Sequence, residues 1–509
     1  MNKITLTTLA ALCASAAFAA DYNLNSAPAD SPLDITDTAN WNGTVTGDTT
    51  NHRLNINNSN GYMDGTGQTF EISHLMVNGN SSFKMTGSGN TITGTNAAGN
   101  TNTNWGNSAN GTTVIDILGS GNNVSLNTGN SWIFGAYGSV ENGTTFTIDS
   151  SSVLARNSFT ISGSNSFLQL STNAASTAVQ KITIGDYSDF IVKTSFRFGG
   201  ESGSALAGGQ LIMEMKGTGS LFDSKTAGRA VEMFNQGGGG MTGGTLKIDV
   251  GGNTNTFKSA NLNMGNRGTA SIMTGGNILF DVSGINNKVA IDTITIGDSN
   301  NTGGSVKFEV SGTNNSINTG IINVNNLGTL EVSGKSDGLE IGTSGEYGSM
   351  KTGNVTVNAG GTVVVHGGAY LDMSNASMYV KANGTLELIA NEDGFFRDGS
   401  TTNMALQMVN MLEFDGILSL DFSHYVLQSA DGNYETVKLM YVNNRNINVD
   451  SLNDGTIQVD FDKNNFDLGL FAWDGNVLTV QLMAIPEPST YAAILGALAL
   501  AFVAYRRRK

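Results

Sequence analysis

The chain has 509 residues, 66 of them glycine and only 4 proline, with 39% hydrophobic and 13% charged residues and a formal net charge of -16. So acidic a chain excludes nucleic acid as a partner, and an apolar fraction set out in regular alternation excludes a wholly disordered polar tract. The single cysteine, Cys13, leaves no disulfide to be formed within the chain.

The first element in chain order is a secretory signal. Lys3 is its basic start, Leu6 to Ala17 its apolar centre, and Ala17-Phe18-Ala19 its small-residue cleavage site. A signal peptide is therefore expected over 1–19, with Ala17 and Ala19 at the cleavage site and the Sec translocon and signal peptidase as partners. Cys13 falls inside it, so the exported protein has no thiolate for metal binding or nucleophilic catalysis. Residues 20–60 read as an N-terminal segment or cap.

From 61 to 400 one motif recurs: an apolar residue, a polar one, a second apolar residue, any residue, then glycine and an Asn- or Gly-rich step. It is carried by Phe83-Met85-Gly87, Ile115-Ile117-Gly119, Phe159-Ile161-Gly163, Met213-Met215-Gly217, Ile248-Val250-Gly252, Phe280-Val282-Gly284, Phe308-Val310-Gly312, Leu330-Val332-Gly334 and Val363-Val365-Gly367. A second strand type ends Ile182-Thr-Ile184-Gly185-Asp186, Ile294-Thr-Ile296-Gly297-Asp298, Leu262-Asn-Met264-Gly265 and Trp132-Ile-Phe134-Gly135. The first motif's glycines lie 22 to 35 residues apart except for gaps of 44 and 54, read as two turns each. Alternation puts one side of each strand inward, and glycine or asparagine at the corners supplies positive φ. The pattern predicts a parallel, right-handed β-solenoid over 61–400. An all-β sandwich is the competing arrangement, and nine recurrences favour the solenoid.

Stacking the coils makes a statement about charge. In one register Asp249, Asp281, Glu309 and Glu331 form an outward column in which like charges repel, and Lys247 and Lys307 sit beside it to offset the repulsion. Calcium is the one cofactor that such acids raise, and it is weakly supported. The best local candidate, Asp460 to Asp467, departs from an EF-hand loop at Asn465, where the turn glycine belongs, and at Phe471, where the bidentate glutamate belongs.

After residue 400 glycine thins out. Met404, Leu406, Met408, Val409, Met411 and Leu412 have the spacing of a short helix, and strands follow at 417–422, 436–442, 456–461 and 477–483. Residues 401–484 read as a C-terminal β cap that covers the last coil and blocks its edge.

The chain finishes on Pro486-Glu487-Pro488, an uncharged run from Tyr491 to Tyr505, and Arg506, Arg507, Arg508 and Lys509. As a helix, that run reaches about 22 Å, short of the roughly 30 Å hydrocarbon core of a bilayer. It reads as a single short transmembrane helix over 491–505, with Tyr491 and Tyr505 at the interfaces and the basic tail 506–509 in the cytoplasm. The two prolines keep the preceding peptide extended and open to a protease. Order, spacing and position make 485–509 resemble the sorting tail of PEP-CTERM exported bacterial proteins. The resemblance implies an exosortase-like membrane protease as partner, with Pro486, Glu487 and Pro488 as the processing motif. A permanent single-span anchor is the plainer alternative.

Catalytic motifs are missing from the sequence. His52, His74, His366 and His424 are widely separated, no pair has metal-ligand spacing, and neither a nucleophile elbow nor a phosphate loop occurs. The sequence therefore predicts no metal, no catalytic residues and no enzyme. It predicts an all-β solenoid that works as a structural or adhesive component of the cell surface, cell envelope or biofilm matrix, exported and only transiently held in the inner membrane. Extracellular polysaccharide is its implied setting. Two alternatives stand: a carbohydrate-binding or carbohydrate-cleaving β-helix, and an autotransporter-like passenger adhesin, which the repeats resemble in texture but whose C-terminal barrel has no place after the cap.

Overall fold

The computed structural model describes residues 21–507 apart from 43–52, 96–102, 106–111, 128–131, 135–143, 163–166, 171–176, 200–205, 235–239, 266–271, 335–337, 342–352, 374–375, 398–399, 409–410, 428–432, 446 and 486–487. The expected signal peptide over 1–19, Pro486, Glu487, Arg508 and Lys509 lie outside the described residues. The chain divides into two compact units, 1–330 and 331–509.

The first unit is a parallel β-solenoid whose coils carry strands on three faces. On the first face Ser81–Met85, Thr113–Ile117, Thr144–Ile148, Val179–Ile184, Gln210–Met215, Met241–Val250, Met273–Val282 and Gly303–Val310 pair in parallel, each with the next. A second face stacks Thr91–Gly94, Asn123–Asn127, Asn157–Ser162, Ser188–Val192 and Leu221–Asp223, and a third stacks Phe167–Leu170, Ser195–Phe198 and Ala230–Met233. Inward positions are apolar and buried, as the strict alternation requires. Rings stack from coil to coil: Phe222 lies 4.6 Å from Phe257 at 10° and Phe280 lies 4.9 Å from Phe308 at 5°. Each such buried phenylalanine stabilises the fold by roughly 2 to 3 kcal/mol.

The faces correct the alignment of the repeats. Phe159 and Ile161 lie on the second face, in register with Val124 and Leu126. Their place on the first face is taken by Phe146 and Ile148, followed by Ile182 and Ile184. The stretch between Gly119 and Gly217 is therefore three coils, not four. Two faces carry the same apolar-polar-apolar pattern, and alternation alone does not tell one face from another.

A hydrogen-bonded ladder runs through one corner. Asn90 N–H donates to Asn122 Oδ1 at 2.9 Å, Asn122 N–H to Asn157 at 2.8 Å, Ser220 N–H to Asn255, Asn255 to Asn287 and Asn287 to Asn315, the last three at 2.8 Å. The steps span 28 to 35 residues, one coil each. Asn255 also donates both Nδ2 hydrogens, to Gly217 O and Gly251 O at 2.8 Å. Asn255 and Asn287 are completely buried, so these bonds replace water for groups that have no other access to it. Before each of these asparagines except Asn157 comes a residue at positive φ, among them Gly121 (68°), Thr254 (54°), Asn286 (55°) and Asn314 (55°). Glycine opens the corner because coils touch there: a Cβ on Gly312 would stand 2.1 Å from Gly284 O.

At the N-terminal end of this unit the free edge of Asp21–Asn23 is closed by Asn42, whose Oδ1 accepts from Asn23 N at 2.7 Å and whose N–H donates to Asn23 O at 2.8 Å.

The second unit is also built of parallel pairs. Thr362–His366, Thr385–Ile389, Ile417–Asp421 and Gln458–Phe461 stack in order. The short helix expected near 404–412 is not formed. Leu406–Met408 and Leu412–Phe414 are strands, parallel to Tyr370–Met373 and Ser377–Val380. Leu406 and Leu412 are buried while Met411 is 37% exposed, so one helical face would have put Met411 inside; the open edges of the neighbouring strands override the local spacing. Parallel stacking thus continues past residue 400. Among the described strands, Glu435–Val442, Val477–Ala484 and Phe466–Asp474 pair antiparallel. The outer edge of Phe466–Asp474 is guarded at Phe471, where Asn453 Oδ1 accepts the N–H at 2.8 Å and Nδ2 donates to the carbonyl at 3.2 Å.

Asn255→Ala should cost about 2 to 4 kcal/mol in urea unfolding, because it strands Ser220 N–H and two carbonyls in the interior. Asn255→Ser should cost clearly less, since Ser220 already serves this corner by accepting Ser188 N–H at 3.1 Å. Equal stability of the Ala and Ser variants would contradict the ladder.

Candidate functional site

Outward residues of the first face bring charges into columns. Glu214, Asp249, Asp281 and Glu309 are stacked by register, which places three of the four expected acids together and adds Glu214, whose coil the repeat alignment already contained. The neighbouring outward column reads Lys181, Ile212, Lys247, Leu279 and Lys307. Lys247 pairs with Asp249 at 3.1 Å and Lys307 with Glu309 at 3.0 Å. Glu214 is held by both Lys181 at 2.5 Å and Lys216 at 2.9 Å.

Asp281 differs, because Leu279 occupies the place of its lysine. Its partner is the Ser311 hydroxyl at 2.9 Å. Burial pushes its carboxyl above the usual range, the Ser311 bond draws it back, and Asp249 and Glu309 add to the upward push. For Glu214 burial also pushes upward, but hydrogen bonds from Lys181, Lys216 and Thr183 outweigh it and hold the carboxyl below its usual range. Three acids of the column are thus ion-paired with lysines, and the fourth, Asp281, is held by a hydroxyl. Among the described residues no group of three or more His, Cys, Asp or Glu side chains could hold a metal. In the Asp460 to Asp467 stretch the carboxylates are engaged: Asp462 accepts Asn464 N–H at 2.9 Å and Asn465 Nδ2 at 2.6 Å, and Asp467 accepts the Tyr434 hydroxyl at 2.5 Å.

Glu331, the expected fourth acid, belongs to the second unit. There its Oε1 lies 3.1 Å from His366 Nε2. His366 stands over Ile389, and Ile389 over Asp421, at the ends of three stacked strands. The chain after each strand lines a groove of about 480 Å³ that includes Ser333, His366, Glu392, Asp393 and His424. The two carboxylates are presented by a tight turn, closed by Asn391 N–H to Gly394 O at 3.0 Å and Gly394 N–H to Asn391 O at 3.1 Å. Glu392, Asp393 and His424 are exposed and His366 is half-buried. Sequence spacing separates the two histidines widely; the coil register is what brings them to one wall.

The C-terminal helix spans Pro488–Arg507. It starts three residues earlier than the apolar run, because proline fits the first helical position, and it takes in Arg506 and Arg507. Every residue from Ile494 to Arg507 is exposed, including Leu495 (65%), Leu500 (73%), Phe502 (63%) and Tyr505 (60%). The Arg506 guanidinium lies 5.9 Å from the Phe502 ring centre. Among the described residues no helix is long and apolar enough to cross a membrane. Of the expected sorting residues the description reaches Pro488 and Tyr491 as helix backbone, and Tyr505, Arg506 and Arg507 with their exposure.

No family model, no curated protein and no solved structure matches the chain.

The two perturbed carboxyls give opposite pH signatures. A raised folded-state pKa makes Asp281 favourable only below the ordinary value of 3.8 and unfavourable once pH passes the folded value. Asp281→Asn keeps the acceptor for Ser311 and should raise Tm by about 1 to 3 °C at pH 7, the gain vanishing toward pH 3. Glu214, with its pKa lowered, contributes stability above its ordinary value of 4.5 that is lost as pH falls through the folded value. Glu214→Gln should lower stability by about 1 to 2 kcal/mol at pH 7 and by progressively less in acid. Melting curves of both variants from pH 3 to 7 test this; the same sign for both would contradict the assigned environments.

Proposed function

We propose that this chain is an exported, non-enzymatic structural protein of the cell surface or extracellular matrix. On this reading a signal peptide starts its export, and the C-terminal helix holds it briefly in the inner membrane until an exosortase-like protease acts at Pro486 to Pro488. The carrying observation is the helix Pro488–Arg507, with leucine, phenylalanine and valine exposed along its described length and arginines at its end. Apolar surface of that extent is unfavourable in water by about 25 cal/mol per Å², so the helix calls for a lipid or protein environment. Its shortness suits a temporary hold better than a permanent span, and its basic end suits the cytoplasmic side. The solenoid supports a structural role through its outward asparagine, serine and threonine, its matched ion pairs and its guarded strand edges.

Intact-mass measurement and peptide mapping of the protein recovered from outside its native cells test the reading. The expected product lacks residues 1–19 and everything after the Pro486 to Pro488 motif. Changing Pro486, Glu487 and Pro488 together to alanine should keep the protein in the membrane fraction and raise its mass by that of the missing tail. Recovery of peptides through Tyr491 to Lys509 from the wild-type surface form would overturn processing and leave the permanent anchor.

A further inference from the structure

We propose that the groove between His366, the Asn391–Gly394 turn and His424 binds a short oligosaccharide that carries free amines. The outward side chains of the repeats are otherwise mostly Asn, Ser, Thr and paired charges. Here two of the chain's four histidines and two exposed carboxylates converge on a single concavity. Its volume, about 480 Å³, lies within the range of small-ligand sites.

The geometry points to an elongated ligand. His366 and Asp421, which His424 follows by three residues, belong to strands two register steps apart, so these two ends of the groove lie about 10 Å apart along the stack at roughly 4.8 Å per coil. That is the length of two linked sugar rings. Between them the turn holds Glu392 and Asp393 in a fixed backbone conformation, closed at both of its hydrogen bonds.

The chemistry sets the ligand's charge. Glu331, Glu392 and Asp393 are the acids at or behind the groove. A uronate chain would meet like charge, whereas a protonated amine finds carboxylates. Imidazole nitrogens and the Ser333 hydroxyl both donate and accept, which suits sugar hydroxyls. The contact of Glu331 with His366 at 3.1 Å fixes that ring before ligand arrives.

Titration calorimetry on the full chain, with four probes, decides the matter. The trimer of β-1,4-linked glucosamine should bind at one site per chain, about tenfold or more tighter than the N-acetylglucosamine trimer, the galacturonate trimer or spermidine. The double variant Glu392→Gln, Asp393→Asn should weaken it about tenfold, and His366→Ala should also weaken it. Both carboxylates are exposed on a turn, and an unchanged circular dichroism melt will show that the double variant folds. No heat with the glucosamine trimer, or unchanged affinity in the folded double variant, would overturn the site. Equal binding of spermidine would overturn the saccharide, and tighter binding of the acetylated trimer would overturn the amine. None of these outcomes bears on processing of the C-terminal tail.

Discussion

The hydrogen bond from the backbone N–H of a corner residue to the side-chain oxygen of the asparagine one coil further on is the constraint from which the first unit follows. Strand ladders hold neighbouring coils along the faces, but at a corner the backbone turns away from the strand direction and its polar groups lose their partners. The buried amides of Asn90, Asn122, Asn255 and Asn287 fill that gap. Each donates inward to its own turn or to the coil below and accepts from the coil below. The register at the corner is thereby fixed to the residue, and a slip of one would turn every apolar side chain outward. The phenylalanine stacks on the inner side depend on that register, as do the ion pairs outside.

Outside, the same stacking turns sequence charges into columns. Like charges repeated at one position would destabilise a solenoid, and the first face answers with a lysine beside almost every acid. Asp281 is the exception, relieved by a serine of the next coil. Where every charge has a partner the face has little left to offer a ligand. The groove at His366 is different in kind, since its carboxylates project on a turn and one of its imidazoles is already oriented.

Several of these features were legible in the sequence. Alternation and recurring glycines give the parallel coils, and the alignment of Asp249, Asp281 and Glu309 gives their common column with Lys247 and Lys307 alongside. The misplacement of Phe159 has a physical source: second-face strands have the same alternation as first-face strands, and face identity is set by corner geometry that pattern does not encode. The helix expected near Met404 failed for a related reason, since a helical spacing of apolar residues means little beside an unsatisfied strand edge. Asparagine was legible as a corner residue but for half its reason. Asn286 and Asn314 do supply positive φ, whereas the buried neighbours Asn287 and Asn315 are there for their amides. The groove was not legible at all, because His366 and His424 meet only through the coil register.

On the proposed function the leader carries away Cys13 and leaves a body held by backbone and amide bonds. The account of the first unit rests on the corner ladder being a structural bond network, and hydrogen exchange reads that network directly. The backbone amides of Ser220, Asn255 and Asn287 donate to side chains, so in an ordinary turn they would exchange quickly. The ladder predicts that they exchange as slowly as the amides of the flanking strands Met241–Val250 and Met273–Val282. Exchange at the rate of an exposed turn would contradict it.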